Sequence, residues 1–385
     1  MRILHTSDWH IGRTFHGTST IEPLRSVLTA LVAEVIAREV DVVVVAGDIF
    51  DSATPAAEYY SVLTDTLRAL HAAGAVVVMT SGNHDSATRL GFQAEFAGLA
   101  GIHICTRPEN AATPITVTDE HGPVHFYGIP YLEPSLVRHL YPGTTLRTHE
   151  QVLANAMTDI RADLAERGGR SVVVSHCFAV GVPASDVERD ITSGGIDLVP
   201  AEVFDGPDYV ALGHIHSRNT ISDRVRYSGA PLHYSFSEAG KPRGGWLFEV
   251  DATGLVPGRT EWVSLPIPRD LVVLTGELDD LLGDAQYARA ESSWVSVVLT
   301  DRVRPMDGMR RLQERFPWCV RLDHRPVGAD AASTETYTER LRGKDDQQIV
   351  ADFLGYVRGG VGPTNFERRA IADAVADQTA AEALA

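Results

Sequence analysis

Hydrophobic residues in the first 215 positions alternate between two periodicities, one typical of amphipathic helices and one typical of buried strands. Apolar residues at helical spacing between Leu24 and Ile36 predict a helix. An almost unbroken β-branched run at residues 40–46 predicts a strand that is covered on both faces. A second helix is predicted at residues 55–73, with Pro55 in its first turn, and a second buried strand at residues 75–80. This alternation predicts a layered α/β domain.

The rest of the chain extends this domain and then adds two smaller segments. A predicted helix at residues 150–167 leads into a strand at 171–175, another strand follows at 209–212, and residues 227–264 consist of short β segments. Pro266 and Pro268 interrupt both helix and β-ladder, so they mark a linker. We therefore expect a main domain at residues 1–265, a small α+β domain at 270–328 and a helical tail at 333–385.

Length and charge restrict the class of protein. The 385 residues exceed the roughly 250–300 at which single cores stop growing, which agrees with several domains. No apolar stretch approaches the roughly 18 residues of a membrane span, and the amino terminus lacks the apolar run of a secretory signal. Three widely spaced cysteines form no metal-binding or disulfide pattern, so we expect a cytoplasmic protein. The net charge of -17 argues against nucleic-acid binding through bulk positive charge, but not against a nuclease that binds metal ions.

Five predicted strands end in polar turns that contain potential metal ligands. These turns hold Asp8 and His10, then Asp48, then Asn83, His84 and Asp85, then His176, and finally His214 and His216. Because ligand sites in open α/β sheets lie beyond the carboxyl ends of the strands, we expect the five turns to converge on one crevice. Asp8 and His10 are two positions apart, so in an extended chain both side chains leave the same face.

The candidate ligands are two carboxylates, one amide and four imidazoles, without a thiolate. This set favours manganese, iron, zinc or cobalt, and it suits two ions about 3.5–4 Å apart that share one carboxylate. Asp48 is the expected bridge, because it follows a buried strand directly and Gly47 permits close approach of the backbone. Two such ions acidify water and bind phosphate oxygens, so the sequence predicts phosphoester hydrolysis.

His84 and Asp85 follow the candidate ligand Asn83 and are expected to have other roles. The His84 side chain should point away from Asn83 toward the phosphate, where an imidazole can stabilise the transition state or protonate the leaving oxygen. Asp85 either orients His84 or caps the helix that begins near Ser86.

In chain order the turns read DxH, GD, GNHD, H and GHxH, a series that resembles the motifs of the calcineurin-like metallophosphoesterases. The segments VVVAGDIFDSATP, YVALGHIHS and VRYSGAPLHYSFSE further resemble the SbcD family of bacterial nuclease subunits. The resemblance implies an α/β fold with a calcineurin-like β-sandwich flanked by helices, a small α+β capping domain and C-terminal helices. It also implies one manganese ion bound by Asp8, His10, Asp48 and His216, a second bound by Asp48, Asn83, His176 and His214, and His84 as the catalytic histidine.

The same resemblance implies a DNA nuclease that degrades double-stranded ends and nicks hairpins or single strands in DNA repair, recombination and replication. Its partners would be DNA and an SbcC-type coiled-coil ABC ATPase that docks on the C-terminal helices, with two copies of each chain in a nucleoid-associated complex. Candidate phosphate contacts near the motif turns are Arg13, Arg89, Arg189, Arg218, Lys241 and Arg243. An alternative is a small-molecule or cyclic-nucleotide phosphodiesterase, which needs neither a cap nor a tail. A third class, a scaffold with an inactive site, is disfavoured by the complete set of ligands.

Overall fold

The computed structural model describes residues 1–179, 198–326, 343–358 and 360–382. The chain divides into two compact units, Met1–Pro268 and Arg269–Ala385. The predicted Arg189 contact and the residues around the predicted start of the tail lie outside the described residues.

The first unit contains two six-stranded sheets. In spatial order, the strands of the first sheet are Gly254–Ser264, Gly244–Asp251, Arg2–Thr6, Val42–Ala46, Val76–Thr80 and Ile102–Cys105. Those of the second sheet are Asn219–Thr220, Val225–Tyr227, Tyr209–Gly213, Arg170–His176, Gly122–Ile129 and Ile115–Asp119. The central strands of each sheet are parallel, which brings their carboxyl ends to one edge.

Helices cover the outer faces of this sandwich. They span Ile21–Ala37, Ala57–Ala72, Ala87–Leu90, Ala94–Gly98, Pro134–Val137 and His149–Arg167. Short 3-10 turns occupy Pro108–Asn110, Arg138–Leu140, Ala201–Phe204 and Phe236–Glu238, and two-residue strands pair Thr14–Phe15 with Thr18–Ser19 and Phe178–Ala179 with Leu198–Val199. The long helices and buried strands predicted from periodicity are confirmed to within a few residues of their ends.

The alternation of side chains along the strand Val42–Ala46 explains why the whole β-branched run is buried. Val42 and Val44 belong to the apolar cluster between the two sheets, whereas Val43 and Val45 pack in the cluster beneath the helices of the first sheet. A third cluster lies between the second sheet and the helix His149–Arg167. The layers are therefore helix, sheet, sheet and helix, which is the predicted sandwich flanked by helices.

The second unit contains a three-stranded parallel sheet of Leu271–Gly276, Trp294–Leu299 and Cys319–His324. Its helices are Leu278–Gly283, Gly308–Arg315, Asp346–Val357 and Asn365–Glu382, with a 3-10 segment at Ala285–Ser292. Leu278, Leu281, Leu312 and Phe316 fill a core of their own against this sheet. Among the described residues of the chain, we find no helix that combines the length and apolarity required to cross a membrane.

Candidate metal centre

The predicted ligands follow the carboxyl ends of strands in both sheets of the first unit. Asp8, Asp48 and Asn83 follow strands of the first sheet, whereas His176 and His214 lie at strand ends of the second. Six of the seven candidate ligands are less than 10% exposed, the exception being the half-buried Asn83. The sandwich therefore brings together side chains that are up to 208 positions apart in sequence (Asp8 to His216).

The turns reach this convergence with an unusual backbone. Asp8, His10, Asp48 and His214 have φ values of 53°, 45°, 48° and 100°. These values lie in the left-handed region, which costs non-glycine residues about 1–2 kcal/mol each. The extended-chain argument for Asp8 and His10 is therefore wrong in its geometry, although the two side chains do face one site. Gly47, with φ of 78°, is required because a Cβ atom there would overlap the ring of His176.

Two clusters of donor atoms share the carboxylate of Asp48. In the first cluster, His10 Nε2 lies 3.0 Å from His216 Nε2, and Asp8 contributes an oxygen to the same group. In the second, His176 Nε2 lies 3.0 Å from Asn83 Oδ1, which is also 3.1 Å from His214 Nδ1.

Asp48 Oδ2 lies 3.5 Å from His10 Nε2 and 3.3 Å from His176 Nε2. A single carboxylate oxygen thus stands between the two clusters, as the bridging role requires.

The hydrogen bonds on the outer side of the rings show that these clusters fit cations. His176 Nδ1 donates to the carbonyl oxygen of Ala46 at 2.9 Å, so a neutral ring turns the Nε2 lone pair toward the oxygens of Asn83 and Asp48. His10 Nδ1 donates to Asp51 Oδ1 at 3.1 Å, which likewise leaves its Nε2 facing His216 Nε2. Lone pairs that meet at about 3 Å need a proton or a metal ion between them. The donor set therefore fits two positively charged ions.

The shifted pKa values of Asp48 and His176 also indicate that these clusters require positive charge. Burial raises the pKa of Asp48, but the surrounding imidazoles of His176 and His10 outweigh it and hold the pKa well below its usual range. Burial lowers the pKa of His176, but the carboxylates of Asp48 and Asp8 outweigh it and raise the pKa to about 9. Without metal, the site therefore retains a proton on His176, which a metal ion would displace.

Two carboxylates behind the histidines were missed by the sequence analysis. Asp51 accepts from His10 Nδ1 and is paired with Arg13, whose Nη1 lies 2.8 Å from Oδ1. Glu238 is fully buried, with Oε1 at 3.5 Å from His216 Nδ1 and Oε2 accepting from Arg243 Nη2 at 2.8 Å. A carboxylate behind a ligating imidazole fixes its tautomer and raises its basicity. The sequence feature that could have identified Asp51 is its position three residues after Asp48. Nothing in the sequence links Glu238 to His216.

His84 lies beside the first cluster and also contacts Asp51. Its Nδ1 donates to the Asp51 carbonyl oxygen at 2.9 Å, and its ring centroid is 4.8 Å from that of His10. The His84 side chain is 32% exposed, unlike the fully buried ring of His10. A ring nitrogen of His84 also forms a potential metal-binding group with His10 and Asp48. The geometry thus leaves two roles for His84, contact with the phosphate or direct metal binding.

Asp85 has neither of the two roles predicted for it. Its carboxylate accepts from the backbone N–H groups of Ile49, Phe50 and Gly82 at 2.8–3.0 Å, and Ser86 caps the following short helix instead. Burial, together with the charge of Asp48, raises the pKa of Asp85 to about 7 against the lowering effect of these amides. Asp85 therefore supports the turn that carries Asp48, while the His84 ring donates to the carbonyl oxygen of Asp51.

The predicted DNA contacts fall into two groups. Arg13 is 14% exposed and engaged with Asp51, and Arg243 is 2% exposed and engaged with Glu238. Burial and pairing make Arg243 a support of the site, so its prediction as a phosphate contact is wrong. Arg89, on the surface, donates to the Ala53 carbonyl oxygen at 3.1 Å. Arg218 stacks over the rings of Trp246 and Trp262, with its guanidinium carbon 4.6 and 4.9 Å from their centroids.

Comparison with known proteins agrees with this architecture. The family model for calcineurin-like phosphoesterases matches residues 1–218, more than half of the chain. The SbcD C-terminal model, described as the Type 5 capsule protein repressor C-terminal domain, matches residues 267–357. Together, the two matches support an SbcD-type nuclease.

Solved structures with related folds show only distant likeness. GAP50, the anchor in the inner membrane complex of Plasmodium, is 13% identical with a TM-score of 0.39, over 87% of this chain and 98% of its own. A dimetal phosphatase from Danio rerio is 14% identical with a TM-score of 0.39, over 69% of this chain and 99% of its own. At these scores the likenesses carry no argument about substrate.

The family that matches the sandwich binds two divalent metal ions, and the two donor clusters around Asp48 fit that requirement. The chain therefore belongs to the calcineurin-like phosphoesterases and is a metal-dependent phosphoester hydrolase.

Proposed function

We propose that this protein is a DNA nuclease whose two manganese ions are held at the shared Asp48 carboxylate. One ion would bind Asp8, His10, Asp48 and His216, and the other Asp48, Asn83, His176 and His214. The position of Asp48 Oδ2, within 3.5 Å of a ring nitrogen from each cluster, is the observation that supports this assignment. Four imidazoles in the set favour manganese over magnesium, because magnesium prefers oxygen ligands.

The chain's own residues would supply binding and proton transfer. Bound divalent ions would contribute positive charge that polarises the phosphodiester and acidifies water. The His84 Nδ1–H donates to the Asp51 carbonyl oxygen, so Nε2 is the nitrogen that exchanges a proton with the leaving oxygen. Asp51 also holds His10 through its carboxylate. This one residue therefore positions both the metal ligand His10 and the proton donor His84.

The C-terminal segment supports a partner that a small-molecule phosphodiesterase would not need. The helices Asp346–Val357 and Asn365–Glu382 form an open, mostly apolar pocket of about 430 Å³ lined by Leu354, Ile371 and Val375, among others, with Arg358 and Glu367 also in its lining. Phe353, Tyr356 and Phe366 are 52–77% exposed nearby in sequence. Exposed apolar patches of this kind mark interaction sites. We propose that the coiled coil of an SbcC-type ABC ATPase binds there.

The proposed complex contains two copies of this chain and two of the ATPase, associated with the nucleoid. Residues 1–265 would form the nuclease domain, 270–328 a cap that restricts DNA access, and 333–385 the partner-binding tail. Its proposed activities are exonuclease cleavage of double-stranded ends and endonuclease cleavage of hairpins or single strands, in DNA repair, recombination and replication.

Affinity purification of the full chain from its native cell, followed by nuclease assays with manganese, tests this function. We expect a large coiled-coil ATPase to copurify and both linear duplex and hairpin DNA to be cleaved. Hydrolysis of cyclic nucleotides without cleavage of DNA, and without the ATPase, would instead identify the small-molecule phosphodiesterase.

A further inference from the structure

A second cavity adjoins the metal centre in the first unit and has a different chemical character. Its volume is about 640 Å³, within the range of pockets that bind small ligands. The side chains that matter for its chemistry are Asn83, Pro108, Glu109, Tyr131, Glu133 and Val137.

The cavity is continuous with the proposed site of hydrolysis. Asn83 lines it and also presents Oδ1 to His176 and His214. The Tyr131 ring centroid lies 6.3 Å from that of His176, and Tyr131 N donates to Ser81 O at 2.8 Å, which fixes this wall to the strand end. A group bound here would therefore lie beside a phosphate held near Asn83.

Part of the lining is apolar and suited to a flat ring. Val137 is 6% exposed and packs in the core of the second sheet, so it forms a fixed surface. Pro108 and the Tyr131 ring add further apolar and aromatic area. Nucleobases bind proteins by stacking on surfaces of this type.

The carboxylates of the cavity disfavour a phosphate. The exposed Glu109 and the partly exposed Glu133 line it together with Asp85 and His139, and none of the described lining residues is Lys or Arg. Glu133 Oε1 accepts from Ser135 Oγ at 3.1 Å, whereas Oε2 lies 3.8 Å from His149 Nε2. Carboxylates repel phosphate but accept hydrogen bonds from the amino groups of cytosine, adenine and guanine. Thymine presents a carbonyl oxygen where cytosine has its amino group, so a carboxylate discriminates against it.

We propose that this cavity binds the nucleobase next to the cleaved phosphodiester and prefers bases with an amino group over thymine. The inference rests on the proposed DNA nuclease function and adds a specificity determinant to it. Glu109 and Glu133 are the selecting residues, and Tyr131 provides the stacking surface.

Nucleoside binding to the full chain, measured by ligand-observed NMR without added metal, tests the cavity independently of hydrolysis. Deoxycytidine should bind at least about fivefold more tightly than thymidine, as expected for one hydrogen bond of ordinary net strength to a partly exposed carboxylate. Glu109→Gln combined with Glu133→Gln should remove this difference. Equal binding of the two nucleosides to the wild-type protein, or a preference unchanged in the double variant, would overturn the proposal.

Hydrolysis of nucleotide esters distinguishes a failure of this base selection from a failure of the proposed nuclease function. The p-nitrophenyl esters of deoxycytidine and thymidine 5′-monophosphate are compared with base-free bis(p-nitrophenyl) phosphate. The ratio of kcat/KM for the deoxycytidine ester to that for the base-free ester should fall about fivefold in the double variant and stay unchanged in Glu120→Gln, an exposed control away from the cavity. Failure to hydrolyse any ester with manganese contradicts the function, whereas equal use of both nucleotide esters contradicts only the base selection.

Discussion

Replacement of His84 and of Asp48 should separate proton transfer from metal binding at adjacent parts of one site. His84 has one ring hydrogen bond, to the Asp51 carbonyl oxygen, and its side chain is 32% exposed. His84→Gln should therefore cost about 1 kcal/mol of stability or less and leave both metal ions bound. Turnover should fall by about 10², equivalent to about 2.7 kcal/mol of transition-state stabilisation.

Asp48→Ala should behave differently because of what its carboxylate contacts. Asp48 is 2% exposed, its Oδ2 faces His10 and His176, and its Oδ1 accepts from the backbone N–H of His84 at 2.9 Å. Its removal leaves the protonated His176 without its principal counter-ion, and breaking such a buried pair costs about 3–5 kcal/mol. We expect loss of both metal ions and lower thermal stability. Asp48→Asn, which retains an oxygen that can accept this bond, should lose metal with a smaller loss of stability.

Metal content by elemental analysis, measured beside the turnover of bis(p-nitrophenyl) phosphate, distinguishes these outcomes. His71→Gln, on an exposed helix position, is the matched control and should change neither quantity. Proportional loss of metal and activity in His84→Gln would show that His84 is a ligand, as its proximity to His10 and Asp48 allows, and would contradict a role of His84 in proton transfer alone.

Four further outcomes follow, three from the metal centre and one from the C-terminal tail. Glu238→Gln should weaken manganese binding about 10–100-fold in a chelator competition, because the carboxylate fixes the His216 tautomer; unchanged affinity, or an equal loss in the exposed control Glu120→Gln, would contradict this role. The pKa of His176, about 9, lies above its value in the unfolded chain, so the contribution of its proton to stability is complete below about pH 6.5 and is lost as pH rises through 9. The Tm of the metal-free protein should therefore fall between these two pH values. Manganese affinity should rise over the same range, because the ions displace protons. A flat Tm would show that the proton is not held there. Activity removed by chelation should return with manganese better than with magnesium, and full recovery with trace-metal-free magnesium would refute the argument from imidazole ligands. Truncation after residue 332 should preserve ester hydrolysis and abolish ATPase binding in a pull-down, and native affinity of the truncated chain would place the partner site elsewhere.

The sequence predicted those parts of the fold that depend on local periodicity. The helix Ile21–Ala37 and the strand Val42–Ala46 could be located because amphipathic spacing and β-branched runs reflect burial directly. The convergence of the polar turns was predicted because parallel strands end at a common edge. In contrast, the strand Ile115–Asp119 alternates between half-buried and exposed residues at a sheet edge, and it was not predicted. Weak burial gives a weak hydrophobic signal.

The residues that support the metal ligands could not be predicted from the sequence, because their roles depend on tertiary contacts. Glu238 and Arg243 are five positions apart, but both contact His216, Glu238 through its carboxylate and Arg243 through a hydrogen bond to the His216 carbonyl oxygen, and these contacts depend on the tertiary fold. Similarly, the left-handed φ of Asp8 opposes its intrinsic preference, so no local rule predicts it. Both predicted roles of Asp85, orienting His84 and capping the next helix, were short-range, whereas its carboxylate contacts Ile49 and Phe50, 36 and 35 positions earlier.

The strand Arg2–Thr6 pairs with Val42–Ala46 on one side and with Gly244–Asp251 on the other, and this order has a consequence for biosynthesis. During translation, one edge of the first strand remains unpaired until nearly 250 residues have been made, and an open edge invites pairing with other chains. His214 and His216, from opposite donor clusters, also emerge late. A ribosome-bound or prematurely terminated chain that ends before residue 214 therefore lacks a ligand from each cluster. The proposed hydrolytic activity can arise only once the sandwich is nearly complete, so unfinished chains pose an aggregation risk rather than a risk to DNA.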